Sequence, residues 1–260
     1  MRRVKRREIL CLAGALFVAL LGGLSTSSMA TSAEAPARSA QQLVLVITLD
    51  WNANQGTLST YSRVDGRWQV RDGAVAVSIG REGSAWGTGL HKPQTGLQKQ
   101  EGDGRSPAGM FAIENAFGYA PAFESPLGYV AMTAADYCID VSDSAHYNKI
   151  VTEKVAGRAA IERSTEPMRR DIHANGDRRY EWGFVIAHNS QAVPNGGSCI
   201  FAHVWGSPGQ TTAGCTAMSE SRMKELIHWL RADAHPIFVL LPQAEYVRLR
   251  RDWRLPDIVQ

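Results

Sequence analysis

The sequence has no Cys-x-x-Cys pair and no His-Glu-x-x-His motif, which argues against the common zinc frameworks. Its glycine-rich stretch at 81–110 lacks a Gly-Lys-Ser/Thr ending, which excludes a phosphate-cradling loop there. It has no apolar run of the roughly 20 residues that a mature membrane-spanning helix needs. The longest such run, "ILCLAGALFVALLGGL", has 16 residues. No repeat, low-complexity block or long linker interrupts the chain. Positive charge is also scarce once the start is set aside. The net charge is +3, but residues 1–30 carry five Lys/Arg against one Glu, leaving about −1 for residues 31–260. A basic face is therefore missing, and no nucleic-acid partner is expected.

The start of the chain has the organisation of an export signal. A basic "MRRVKRRE" precedes the apolar run, and "STSSMA" follows with Ser28 and Ala30 where a signal peptidase reads. Cys11 lies inside the apolar run with no lipobox-like setting, and Arg2-Arg3 is followed by no twin-arginine consensus. The expectation is a signal peptide over 1–30, export to a bacterial periplasm and no membrane span after cleavage. The small, polar, Pro-containing "TSAEAPARSAQ" reads as a disordered leader over 31–41. One domain over 42–250 follows, then a C-terminal tail over 251–260.

Within the domain, strand signals dominate. "LVLVITLD" (43–50) reads as a buried strand, and "GTLSTYSRVDGRWQV" alternates around an Asp-Gly hairpin turn. "AVAVSIG" (74–80), "YVAMTAADYCIDV", "EWGFVIAHN", "CIFAHVW" and "IFVLL" (237–241) are rich in β-branched or aromatic residues. One helix is expected from 219, where Met223, Leu226, Ile227 and Leu230 form an apolar stripe. Ser219 suits its N-cap, and Met218 with Met223 fits a hydrophobic staple. The fold class expected is mainly β with a few helices, sandwich-like or closed.

Cysteine is sparse: beyond Cys11 there are only Cys138, Cys199 and Cys215. An oxidising compartment favours pairing, and an odd count leaves one thiol. Cys138 and Cys199 sit in strand-like segments and form the expected disulfide, with two buried free thiols as the alternative. Cys215 lies in "HVWGSPGQTTAGCTAM", a Gly- and Thr-lined loop just ahead of the helix. A helix N-terminus and the nearby His203 would both lower a thiol pKa and create a thiolate nucleophile. Three readings stay open: a catalytic Cys215–His203 pair, a zinc site of Cys199, His203 and Cys215 with His188, or a cysteine that only packs. The remaining histidines, His91, His146, His173, His228 and His235, read as surface or capping residues.

The segment "IFAHVWGSPGQTTAGCTAM" resembles the active-site segment of YkuD-type L,D-transpeptidases, in which a histidine precedes a (Ser/Thr)-x-Gly-Cys turn. "GSAWGTGL", "EGDGRSPAGMF", "YCIDVSDSAHYNKIV" and "FVIAHN" are similar to other pieces of the branch with a short His-to-Cys loop. The resemblance implies a β-sandwich catalytic domain acting on peptidoglycan stem peptides, donor and acceptor, as a monomer without metal or cofactor. By that resemblance Cys215 attacks the diaminoacid carbonyl of a donor tetrapeptide, expels D-alanine and passes the acyl group to an acceptor amine. His203 would be the general base, with a backbone carbonyl to orient it and His188 the next candidate. The backbone N–H groups of Gly214 and Cys215 would be oxyanion donors, with Thr212 and Asn189 in the same oxyanion or substrate-binding set. Ala217 stands where many members carry arginine, so donor recognition is expected to differ. The same Cys/His pair would serve an L,D-carboxypeptidase or muropeptide hydrolase, and the fold alone would serve a non-catalytic wall-binding protein.

Overall fold

The computed structural model describes residues 38–258. The leader expected over 1–30 lies outside the described residues. Among the described residues the main elements are thirteen strands and five short α-helices. The first three strands are β1 (Gln42–Thr48), β2 (Gln55–Val64) and β3 (Arg67–Ser78). Asp65 and Gly66 both take positive φ, 49° and 75°, in the two-residue turn between β2 and β3. That conformation matches the twist of a hairpin, and an Asp-Gly pair tolerates it. The stretch at 74–80 is thus not a separate strand but the second half of β3.

Next come β4 (Ser84–Trp86), β5 (Ser106–Gly118) and β6 (Tyr129–Ala131). The strands β10 (Trp182–Ile186), β11 (Phe201–Val204), β12 (Thr216–Met218) and β13 (Ile237–Pro242) complete the main sheet. The order β10-β11-β12-β3-β2-β1-β13-β5 returns to β10, because β5 pairs with both β13 and β10. Eight strands therefore close into a barrel, the closed one of the two arrangements expected from the strand pattern and not the β-sandwich that the resemblance implies. Strand β5 does the closing: its 13 residues are long enough to hydrogen-bond along both edges. Its beginning, "SPAG", carries no strand signature and reads as loop in the sequence.

The two strands with near-continuous apolar sequence, β1 and β13, run parallel from Leu43↔Ile237 to Thr48↔Pro242. Every residue of β13 is buried, as are six of the seven in β1. One face of each looks into the barrel and the other is covered, so the usual polar alternation disappears. Helix α5 (Gln243–Leu249) supplies part of that cover, with Tyr246 and Leu249 in the core. The expected helix is α4 (Glu220–Trp229); the Ser219 hydroxyl accepts from the Arg222 N–H at 3.3 Å. Met218, Met223, Leu226, Ile227 and Leu230 are fully buried in the same core. The end segments are more ordered than expected. Gln41 bonds Ala234 and Arg63 through its backbone, Leu255 joins the core, and the Arg254 carbonyl accepts from Trp68 at 2.8 Å. Among the described residues no helix is long and apolar enough to cross a membrane.

Between β6 and β10 the chain forms a cap. Strands β7 (Asp136–Cys138), β8 (Ile150–Thr152) and β9 (Glu166–Pro167) make a small sheet in the order β8-β7-β9. Helices α1 (Glu153–Ala156), α2 (Arg158–Arg163) and α3 (Arg170–His173) accompany it. Its own core is small, Ile139, Val141 and Ile161. A core of that size needs anchoring. A disulfide between Cys138 and Cys199, Cα–Cα 5.9 Å, ties β7 to the segment leading into β11. Asn148 adds a polar tie, receiving the Cys199 N–H at 2.8 Å and donating to the His188 and Asn189 carbonyls.

Candidate active site

The turn that carries Cys215 is fixed from two sides. The Thr212 hydroxyl donates to the Cys215 carbonyl at 2.7 Å and accepts the Gly214 N–H at 3.1 Å. From the barrel wall, the fully buried Ser106 hydroxyl donates to the Gly214 carbonyl at 2.6 Å, with the Cys215 carbonyl 3.1 Å away. The same oxygen accepts the Gly80 N–H at 2.9 Å. Ser106 therefore links β5, the segment that follows β3 and the Cys215 turn through one atom. Nothing in the sequence marks it, because its partners are backbone groups distant along the chain.

Thr212 and Gly214 accordingly take different roles from those the resemblance implies. The Thr212 hydroxyl and the Gly214 N–H are consumed in holding the turn, so neither is free to receive an oxyanion in this state. A Cβ on Gly214 would lie 3.1 Å from the Arg105 carbonyl and 3.3 Å from Ile200 Cδ1. The glycine therefore sits in tight packing, where a side chain would press on the Arg105 carbonyl and Ile200. Asn189 is 1 % exposed and bonds the Val193 and Gly197 carbonyls at 3.0 Å each. It shapes the loop after β10 and does not face a ligand.

Cys215 is the free cysteine among the described residues, and it is buried. Its Sγ donates to the Cys199 carbonyl at 3.4 Å and accepts the Phe201 N–H at 3.3 Å. Cys199 holds φ 56°, an uncommon conformation for a non-glycine residue, and the disulfide and Asn148 fix it there. Burial and the nearby Glu166 carboxylate push the thiol up to about 12, against weaker help from the Phe201 N–H, Tyr180 and Lys99. The expected lowering by a helix N-terminus fails for a geometric reason. Strand β12 separates Cys215 from α4, and five residues of largely extended chain reach about 15 Å, beyond a dipole effect confined to the first turn.

His203 sits in β11, which runs parallel to β12 with Ala202 opposite Thr216 and His203 opposite Ala217. That register sets Cys215 beside Phe201, one alternation from His203 on the same face. His203 is buried, and its Nδ1 lies 2.7 Å from the Val204 carbonyl. A carbonyl only accepts, so Nδ1 carries the proton and Nε2 is left with its lone pair. Burial lowers the imidazole pKa to about 4, so the ring is neutral at physiological pH. A backbone carbonyl orients it, with no acid.

Tyr180 connects the two residues. Its ring meets His203 edge-on at 5.2 Å and packs against Phe117 and Phe201 at 5.9 and 5.5 Å. Its hydroxyl donates to Glu166 Oε1 at 2.6 Å, and Arg170 pairs the same carboxylate at 3.2 Å. Behind them Asp177 receives Arg170 at 2.7 Å and Arg179, and this pairing holds its carboxyl below the usual range. Tyr180 and Glu166 went unnoticed in the sequence, because the cap brings them to the thiol from 35 and 49 positions away.

The other candidate ligands and bases are occupied. His188 accepts the Thr88 N–H at Nδ1 (3.2 Å) and bonds the Gly196 carbonyl through Nε2 (2.8 Å). Both nitrogens being used, it cannot serve as base in this state. The Cys199 sulfur is in the disulfide and is not available as a zinc ligand. His91 is half-buried: it stacks on Trp253 at 5.0 Å and abuts Trp86 and Phe111. Beside the thiol's neighbours lies a cleft of about 430 Å³ whose lining includes Phe117, Met132, Cys138, Lys149 and Phe201.

No protein-family profile and no curated protein matches the chain. Among solved structures the chain is similar to the helical cell shape determining protein Pgp2 from Campylobacter jejuni. The identity is 13% and the TM-score 0.37, over 78% of this chain and 48% of that one. The chain spans about half the length of that protein.

Proposed function

We propose that the protein is an exported cysteine acyltransferase of the L,D-transpeptidase type, acting on peptidoglycan stem peptides. One observation carries the reading. Among the described residues the one free thiol is buried just ahead of β12, and a neutral imidazole with a fixed tautomer stands on the adjacent parallel strand β11. A thiol and an imidazole on neighbouring strands can work as nucleophile and general base once Nε2 comes within hydrogen-bond reach of sulfur. Phe201 and Cys138, which pack with Cys215 in one buried cluster, line a cleft that would take a peptide; Cys215 and His203 lie behind that lining.

At rest both groups are neutral, so the proton leaves sulfur only as attack proceeds. His203 Nε2 takes it while Sγ bonds to the donor carbonyl carbon and the carbonyl oxygen gains the charge. The tetrahedral carbon then expels D-alanine, whose amine nitrogen receives the proton from Nε2, leaving a thioester on Cys215. An acceptor amine attacks that thioester and loses its proton to His203; the proton returns to sulfur as the new amide forms. No step calls on a metal or cofactor.

The test is incubation of the purified protein with a disaccharide-tetrapeptide, followed by mass spectrometry. Loss of D-alanine with appearance of dimers is expected, and Cys215→Ala abolishes both. D-alanine loss without dimers assigns water as acceptor and an L,D-carboxypeptidase. Retention of D-alanine in every product refutes the acyl-transfer reading.

A further inference from the structure

Glu166 is an acid that the acyl-transfer steps do not use, yet the fold places it against the nucleophile. In the cap sheet it lies opposite Cys138, the disulfide partner of Cys199, whose carbonyl receives the Cys215 thiol hydrogen. Its carboxylate holds the Tyr180 hydroxyl at 2.6 Å. Tyr180 in turn belongs to the same buried cluster as Cys215, Phe201, Met168 and the two disulfide cysteines. Anion, phenol and thiol therefore form one buried series, with His203 on the edge of the phenol ring.

We infer that Glu166 is a charge brake on the nucleophile: its carboxylate, set behind Tyr180 by the cap, keeps Cys215 protonated and slow to react in the unliganded protein. Low dielectric gives a buried anion a long reach, and a second negative charge on the sulfur packed with the same phenol is opposed. Burial raises the carboxyl above its ordinary range, while Arg170 and Tyr180 favour its charge and Asp140 opposes it. On the barrel side Lys99 faces the thiol with the opposite sign, tied to Asp103 at 2.7 Å. The thiol thus lies between a cap-borne anion and a barrel-borne cation, and movement of the cap would change the balance. Tyr180 is a positioning residue here. Its hydroxyl directs the Glu166 carboxylate and favours the thiolate, whereas the charge of Glu166 opposes it.

The inference rests on Cys215 being the nucleophile, but its test reads the thiol directly and needs no turnover. Thiolate formation is followed at 240 nm against pH in the full chain, as the difference from the same variant carrying Cys215→Ala. Glu166→Gln keeps an acceptor for Tyr180 and removes the charge. It is expected to lower the onset of thiolate by about one pH unit, which is about tenfold more thiolate at a given pH. Iodoacetamide labelling of the Cys215 peptide at pH 8 is expected to quicken to match. Glu166→Asp, which keeps the charge, stays near wild type, and Tyr180→Phe does not lower the onset. An unchanged onset in Glu166→Gln overturns the brake. So does an equal fall in Tyr180→Phe, since that would report loosened packing rather than charge. If Glu166→Gln fails to fold, Arg170→Met supplies the converse arm. Stripping the counter-cation raises the onset if Glu166 acts by charge, and an unmoved or lowered onset refutes it.

Discussion

Ser106→Ala tests whether the nucleophile turn is held from the barrel wall. The substitution removes one oxygen that now serves the Gly80 N–H, the Gly214 carbonyl and part of the Cys215 carbonyl. The Cys215 carbonyl keeps Thr212 as donor, so two groups are left unpaired. Ser106 is 1 % exposed, and alanine leaves little room for a replacing water. A buried orphan group costs about 1–3 kcal/mol; at about 1–2 kcal/mol for each of these two uncharged backbone groups, the loss expected is about 2–4 kcal/mol. For a domain of this length that corresponds to a fall in Tm of about 4–16 °C. Urea denaturation and calorimetry measure it, with Ser106→Thr as a control that restores the hydroxyl. A loss below about 0.5 kcal/mol would mean that neither orphan is truly buried, and the three-way anchor would be wrong. Activity should fall further than stability, because the freed turn carries the sulfur.

Three more outcomes follow from the geometry. Cys215→Ala abolishes acyl transfer and also costs about 1–2 kcal/mol, since the buried thiol fills space and serves both Phe201 and Cys199; retained turnover in the folded variant would end the assignment. His203→Ala lowers kcat by roughly two to four orders of magnitude, and the acid limb of the wild-type pH–rate profile falls near pH 4 rather than 6.5. An acid limb centred at 6.5, or a variant within a few-fold of wild type, would place the base elsewhere. Acid stability should erode early: His188 and His203 have folded pKa values near 4, below the unfolded value of 6.5, so their contribution is full above pH 6.5 and is lost as pH falls toward 4. Urea midpoints flat from pH 7 to 4.5 would contradict the burial of both rings.

The parts of the fold that were legible in the sequence are those whose signal is local. The Asp65-Gly66 hairpin, the Ser219 N-cap and the stripe Met223, Leu226, Ile227 and Leu230 each depend on residues within one turn of each other. The apolar strands β1 and β13 were visible for the same reason. Barrel closure was not, because it depends on β5 bonding at both edges, and "SPAG" at its start is a pattern that strands and loops share. The ordering of residues 251–258 was also hidden, since it comes from contacts of Leu255 and Arg254 with distant elements.

The candidate site divides along the same line, and the division has a consequence for the chemistry. Cys215 and His203 stand out because one loop of sequence carries both. What sets their protonation lies elsewhere: the Val204 carbonyl, the Cys199 carbonyl, Tyr180 and Glu166. A reading confined to the loop finds a thiol ahead of a helix and a histidine nearby, and expects an activated thiolate. The structure gives the opposite resting state, a thiol pushed up to about 12 beside a neutral ring. The difference arises first because the sulfur is buried, and then because the cap brings a buried acid toward it while β12 carries the helix terminus away. Sulfur held protonated is also sulfur that attacks disulfides slowly. The cap that restrains Cys215 is itself fastened by Cys138–Cys199, with the Cys199 carbonyl accepting the thiol hydrogen. Keeping the thiol neutral at rest therefore protects the bond that holds the site in shape.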